Sequence, residues 1–123
     1  MASFSFVNLT PHAITVLAVN GGESTFQPSG KVARVSELAT TVIGQVNGVP
    51  VLSKTVFGDV IDLPEPQDGV FFLVSGMVAG QVLNRKDVLA PATGPNDGAI
   101  RNDKGHIVAV TQFKSTSTSL PGL

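Results

Sequence analysis

Few residues in this chain are equipped for chemistry. His12 and His106 are its only imidazoles, and it has no cysteine. Zinc takes three or four nitrogen, sulfur or carboxylate ligands, so two His would need a carboxylate such as Asp97 to make even an open site. No spacing in the sequence demands one, and His12 reads more simply as a loop residue ordering the Thr10-Pro11 turn through its ring nitrogens. Asp59, Asp62, Glu65 and Asp68 recur at every third position. Pro64 and Pro66 forbid the helix that would gather them on one face, and the Asp-x-Asp-x-Asp-Gly order of a calcium loop is missing. That run reads as a solvated loop. Ser75 follows an apolar stretch but lies outside any Gly-x-Ser-x-Gly elbow, so nothing marks it as a nucleophile. The expectation is no metal and no cofactor.

Two places suit binding better than catalysis. Ser75-Gly76 sits where a buried strand would pass into a helix; free backbone amides there favour an anion, and Gly76 lets it approach closely. The competing reading is a plain helix cap with a glycine that relieves packing. The polar loop Gly94-Pro95-Asn96-Asp97-Gly98 leads to Arg101, whose guanidinium can clamp a phosphate while Asn96 and Asp97 meet ribose or base edges. Against this stands a long turn whose Asn and Asp satisfy their own backbone, with Arg101 paired to Asp103. Thr10 and His12, in the first turn, complete the candidate ligand set of Thr10, His12, Ser75, Gly76, Asn96, Asp97 and Arg101.

The elements that must carry these residues are mostly strands. Ser3 to Val7 alternates polar and apolar, and Ala13 to Val19 is rich in β-branched residues. Asn20-Gly21 suits a hairpin turn. Thr25–Gln27 and Val32–Val35 read as the next pair, and Thr40–Ile43 turns through Asn47-Gly48 into Val49–Phe57, with Pro50 at an edge or near the turn. Leu63 to Gly69 is a loop. Val70–Val74 is a continuous apolar run, as in a strand buried on both faces. Ser75 is a plausible cap for one short helix with Met77, Val78, Val82 and Leu83 as its apolar stripe, weakened by Gly76 and Gly80. Ala90-Pro91 opens an irregular segment, after which Ala99–Arg101 and His106–Phe113 form a last hairpin turning at Lys104-Gly105. The fold class is therefore α+β, mainly β: residues 1–113 form a single compact domain of antiparallel hairpins with one short helix. Residues 114–123 form a flexible Ser/Thr-rich tail or a docking arm for a neighbouring subunit.

Composition narrows the partners. The 123 residues carry eight basic and nine acidic side chains, interleaved, for a net charge of -1. Duplex binding relies on clustered Lys and Arg, and only Arg85-Lys86 are adjacent, with no Tyr or Trp to stack on bases. Nucleic acid and membrane surfaces are both poor matches. No apolar run approaches the ~20 residues of a membrane helix, no leader pattern opens the chain, and a cytoplasmic setting is expected. Charged residues are only 14% of the chain and mean hydropathy is +0.29, against about 25% charge in typical domains. Part of the apolar surface is expected to meet another copy, in a symmetric homo-oligomer.

Several blocks carry a resemblance. They are Phe6 to Val16, which contains Asn8-Leu9-Thr10-Pro11-His12; Pro28 to Val35; and the stretch from Leu63 through Val74-Ser75-Gly76-Met77-Val78 to Asp87-Val88-Leu89-Ala90-Pro91. In content and order the chain resembles a small family of uncharacterised proteins encoded by tailed phages and prophages. The resemblance implies a viral accessory setting and no particular activity.

Three functions follow as expectations. The first is a binding protein that sequesters a small anionic, nucleotide-derived ligand without turning it over, in an anti-defence role. The second is a structural or interaction protein, either a virion decoration subunit or an inhibitor docking on a host protein. The third is a small phosphodiesterase-like enzyme with His12 or His106 as general base.

Overall fold

In a computed structural model of the chain, residues 4–37, 40–53, 57–82 and 85–120 are described. Ser3, Leu83 and part of the Val49–Phe57 segment, which figure in the readings above, lie outside them. The chain is mainly β with one short helix, in agreement with the expected class.

At its centre is a four-stranded sheet in the order β1 (Ser5–Asn8), β8 (Val70–Leu73), β9 (Val88–Pro91) and β12 (Phe113–Lys114). β1 and β9 flank β8 in parallel, and β12 joins β9 antiparallel. A parallel neighbour needs a crossover, and α1 (Gly76–Gln81) provides the one between β8 and β9. Successive side chains of a strand point to opposite faces, which divides the apolar residues of β8 and β9 between two cores. Phe72, Val74, Val88 and Ala90 pack with Leu9, Ala33 and the Val78, Ala79 and Val82 side chains of the helix segment. Phe71, Leu73 and Leu89 pack on the other face with Ile14 and Val110. Burial on both faces is what the unbroken Val70–Val74 run requires. Phe6 anchors the second core, with ring centroids 4.9 Å from Phe26 and 5.8 Å from both Phe71 and Phe113.

Hairpins surround this sheet. β2 (Ile14–Leu17) pairs with β3 (Glu23–Phe26), and β10 (Ile100–Arg101) with β11 (Ile107–Ala109). β4 (Arg34–Glu37) pairs with β7 (Phe57–Ile61), not with the Thr25–Gln27 segment as expected. The physical reason is nesting: β4 and β7 are the base of a ribbon whose tip is β5 (Val42–Val46) and β6 (Val49–Leu52). Asn47 and Gly48 close that tip with φ of 50° and 81°, the conformation of a type I′ turn.

Two further expectations are corrected. The segment opening at Ala90-Pro91 is not irregular there, because Val88–Pro91 is strand β9, fed by backbone bonds from Phe72 to Asp87 and from Val74 to Leu89. The boundary at residue 113 falls inside strand β12, where Lys114 pairs with Ala90. Beyond it, Thr116 donates its hydroxyl to the Val82 carbonyl at 2.8 Å.

Candidate functional site

The short helix borders a concavity. Ser75, in extended backbone, accepts a hydrogen bond from the Val78 amide at 3.3 Å and so caps α1. Val78 and Ala79 face the core, while Gly76 and Gly80 lie on the outer side, where an added methyl group at either would meet nothing within 4 Å. Opposite them runs the β9–β12 pair. The result is a cleft of about 340 Å³ lined by Gly76, Ala79 and Gly80, by Ala90 and Pro91, by Thr93 and Gly94, and by Lys114, Ser115 and Thr116. That volume is at the small end for ligand sites, which run from roughly 300 to 1,000 Å³.

Among the described residues, Lys114 is the one cation on the lining. Its ammonium lies 2.8 Å from Asp97 Oδ2, an oxygen that also accepts the Gly94 amide at 2.7 Å. The Lys114 hydrogen bond, with that of Gly94, holds the Asp97 carboxyl below its ordinary range. The loop carrying Asp97 is braced from strand β11's side: the Asp97 carbonyl accepts from Gln112 Nε2 at 2.9 Å, and Thr111 bonds the Gly98 carbonyl at 3.3 Å. Asp97 is thus fixed as an ionised acceptor.

Of the candidate ligand residues, Gly76 lines the cleft and Asp97 reaches it through Lys114. Ser75 is occupied in capping. Asn96 is exposed in the loop beside Asp97. Arg101 is not on the cleft lining; its Nη1 donates to the Gly105 carbonyl at 2.8 Å, within its own hairpin. Thr10 is buried and His12 exposed at the corner after β1. That corner is ordered by Asn8, not by the His12 ring. The Asn8 side chain accepts from the Thr10 amide and hydroxyl at 2.9 and 2.7 Å, and donates to the His12 and Phe26 carbonyls at 2.8 and 2.9 Å.

Sequence reasoning missed Lys114, Ser115 and Thr116, which it assigned to the tail, and Thr93; Gly94 it named only as the start of the polar loop. The signal for Lys114 was its place directly after Phe113, an apolar residue able to extend a strand into the core. It also missed the Arg85–Asp87 pair. Arg85 Nε and Nη2 each lie 2.8 Å from an oxygen of Asp87, and Nη2 also reaches the Pro64 carbonyl at 3.0 Å. Hydrogen bonding to Arg85 lowers the Asp87 pKa and raises that of Arg85. Among the described residues, no three His, Asp or Glu side chains stand close enough to share a metal ion.

A second surface is the ribbon tip. Every residue of β5 and β6 is exposed, and neither strand packs substantially on any element but the other. Val42, Ile43, Val46, Val49 and Leu52 are 58–69% exposed. No helix of the described residues is long and apolar enough to cross a membrane. Comparison with known protein families, curated proteins and solved structures finds no match to the chain.

Proposed function

We propose that this protein binds a small anionic, nucleotide-derived ligand in the cleft between α1 and the β9–β12 pair, without turning it over. The observation that carries the reading is the lining itself: one ammonium, the hydroxyls of Thr93 and Ser115, and two glycines, Gly76 and Gly80, with open space where a ligand can approach the backbone. Lys114 supplies charge, and the hydroxyls both donate and accept. The apolar floor of Ala79, Ala90 and Pro91 suits a base or sugar face. Binding without turnover is favoured because no imidazole lines the cleft, and its nearest carboxylate, Asp97, is held ionised against Lys114 as a weak base. In the phage or prophage setting implied by the resemblance, such capture would lower the level of a nucleotide signal made by host defence in the cytoplasm.

The test is equilibrium dialysis against cyclic dinucleotides, ADP-ribose and mononucleotides, followed by mass spectrometry of the ligand released by heat. The reading expects saturable binding of at least one compound, its recovery intact, and loss of binding in Lys114→Gln. Recovery of a cleaved product would replace it with the enzyme reading. No binding across the panel would overturn it.

A second reading, a structural or interaction protein, is favoured by the exposed aliphatic ribbon. Contiguous apolar surface of this kind marks association sites, and a two-stranded hairpin is marginal in water by itself.

A further inference from the structure

The ribbon tip has an asymmetry that selects its partner. A two-residue turn makes Val46 and Val49 a hydrogen-bonded pair. Pairs alternate along an antiparallel ladder, so Gln45 and Pro50, the next pair, turn their backbone groups outward to the two free edges. On the β6 edge that position is a proline, which has no N–H to donate. On the β5 edge it is Gln45, which offers both an N–H and a carbonyl. The irregularity between Val42 and Gly44 bends the rest of β5 away from regular pairing. Among the described residues, one edge is thus closed, and the other is open over a short stretch centred on Gln45.

The faces point the same way. Residues 40–53 contain no charged side chain. Val46, Val49 and Val51 share one face by register, and Leu52 lies on the other. Native edge strands are normally guarded by charge, above all by lysine, and this edge carries none. Complementarity requires a partner surface that is also aliphatic, uncharged and bounded by one open edge. The same ribbon on another copy of this chain meets all three conditions.

We infer that two copies of the protein associate through their ribbon tips, with the β5 strands antiparallel and Gln45 on the two-fold axis. There the N–H and carbonyl of each Gln45 pair with those of the other, and Gly44 of one copy lies opposite Val46 of the other. The four aliphatic residues Val46 and Val49, from both copies, then form one continuous face. Strand β6, closed by Pro50, becomes the outer edge of the joined four-stranded sheet and stops further addition. The product is a closed dimer, not a fibre.

Sedimentation velocity on the full chain tests this across roughly 1–100 µM, the range in which weak self-association is resolved. The wild type should sediment as a dimer at the upper end. Gln45→Pro removes the outward donor without touching an inner ladder bond and should leave a monomer with an unchanged far-ultraviolet spectrum. Val46→Lys and Val46→Glu should each be monomeric alone and form a dimer when mixed, because the two 46 positions lie diagonally across the axis on one face. The mixing experiment decides the matter even if the proline variant fails to fold. A wild type that stays monomeric throughout, or a dimer indifferent to the Val46 substitutions, overturns the inference. Neither result bears on the α1 cleft.

Discussion

The Asn8 side-chain carbonyl accepts both the amide and the hydroxyl of Thr10, two residues on, at 2.9 and 2.7 Å. Both residues are buried, Asn8 to 2% exposure. This Asx-type turn ends β1, and the Asn8 amide group then ties the corner to β3 through the Phe26 carbonyl. Leu9, between them, is pushed into the first core at 1% exposure. The Asn-Leu-Thr-Pro-His block is therefore explained by folding, with polar groups facing inward because each has a partner.

Asn8→Ala leaves four groups at this corner short of a partner: the Thr10 amide and hydroxyl and the His12 and Phe26 carbonyls. A buried unsatisfied group costs about 1–3 kcal/mol, though the Thr10 hydroxyl keeps the His12 carbonyl at 2.9 Å. The expected loss is about 3 kcal/mol in urea unfolding, a large effect for one side chain. Thr10→Val should cost about 1–2 kcal/mol, since it removes the hydroxyl alone. A loss under about 0.5 kcal/mol for Asn8→Ala, the scale of ordinary surface changes, would show that the corner does not hold the fold.

Arg85 and Asp87 make stability depend on acid. Asp87 titrates below its ordinary range in the folded chain, because Arg85 hydrogen-bonds its carboxylate. A carboxyl with a lower folded than unfolded pKa contributes stability above the unfolded value, about 3.9. That contribution is lost as pH falls through the folded value. Wild-type stability should therefore fall as pH drops below about 4. Asp87→Asn should be less stable at pH 7 and show a shallower fall over that window, measured by urea melts at each pH. An unchanged acid slope in the variant would assign the loss to other carboxyls.

The glycines of the cleft should behave oppositely. Gly80 lies in the last turn of α1 with open space around it, so Gly80→Ala should stabilise modestly, by up to about 0.5 kcal/mol, through helix propensity. At Gly94 an added methyl group would stand 2.7 Å from Asp97 Oδ2. Gly94→Ala should displace the Asp97 carboxylate and lower the melting temperature. Calorimetry on both variants checks the contrast, and destabilisation by Gly80→Ala would mean that the helix packs more tightly than described.

How far the sequence could be read follows from where its constraints lie. Val70–Val74 was legible because a strand covered on both faces has no polar positions, and Ser75 because capping is local chemistry. The hairpin tip at Asn47-Gly48 was legible because its turn needs positive φ at both residues. What escaped was non-local. That Ser5 lies beside Val70 is settled by the two cores and not by any short pattern. The Val88–Pro91 strand was hidden by its length and by Pro91, which sits at the lightly paired end beside Phe113. Gly76 was found for its conformational freedom, whereas Lys114 was lost once Ser and Thr composition marked its neighbours as a tail. Three of those neighbours in fact build the cleft wall or bond to it.

The sharpest prediction concerns the contest between Asp97 and a bound anion for the same ammonium. In the free protein Lys114 pairs with Asp97 at 2.8 Å. An anionic ligand in the cleft must share Lys114 with that carboxylate or displace it, and it also meets the carboxylate's negative charge. Asp97→Asn removes the competing charge while its side-chain oxygen still accepts the Gly94 amide, so the loop keeps its brace. Affinity for the ligand found by dialysis should rise several-fold in Asp97→Asn and fall at least tenfold in Lys114→Gln. The double variant should resemble Lys114→Gln, because the effect of Asp97 acts through the lysine. Rising salt should weaken wild-type binding more than that of Lys114→Gln, since the screened interaction is the one to Lys114. Isothermal titration at two ionic strengths measures all of this. Weaker binding in Asp97→Asn would mean that Asp97 contacts the ligand directly as an acceptor, and the anion would then have to be sought elsewhere on the molecule.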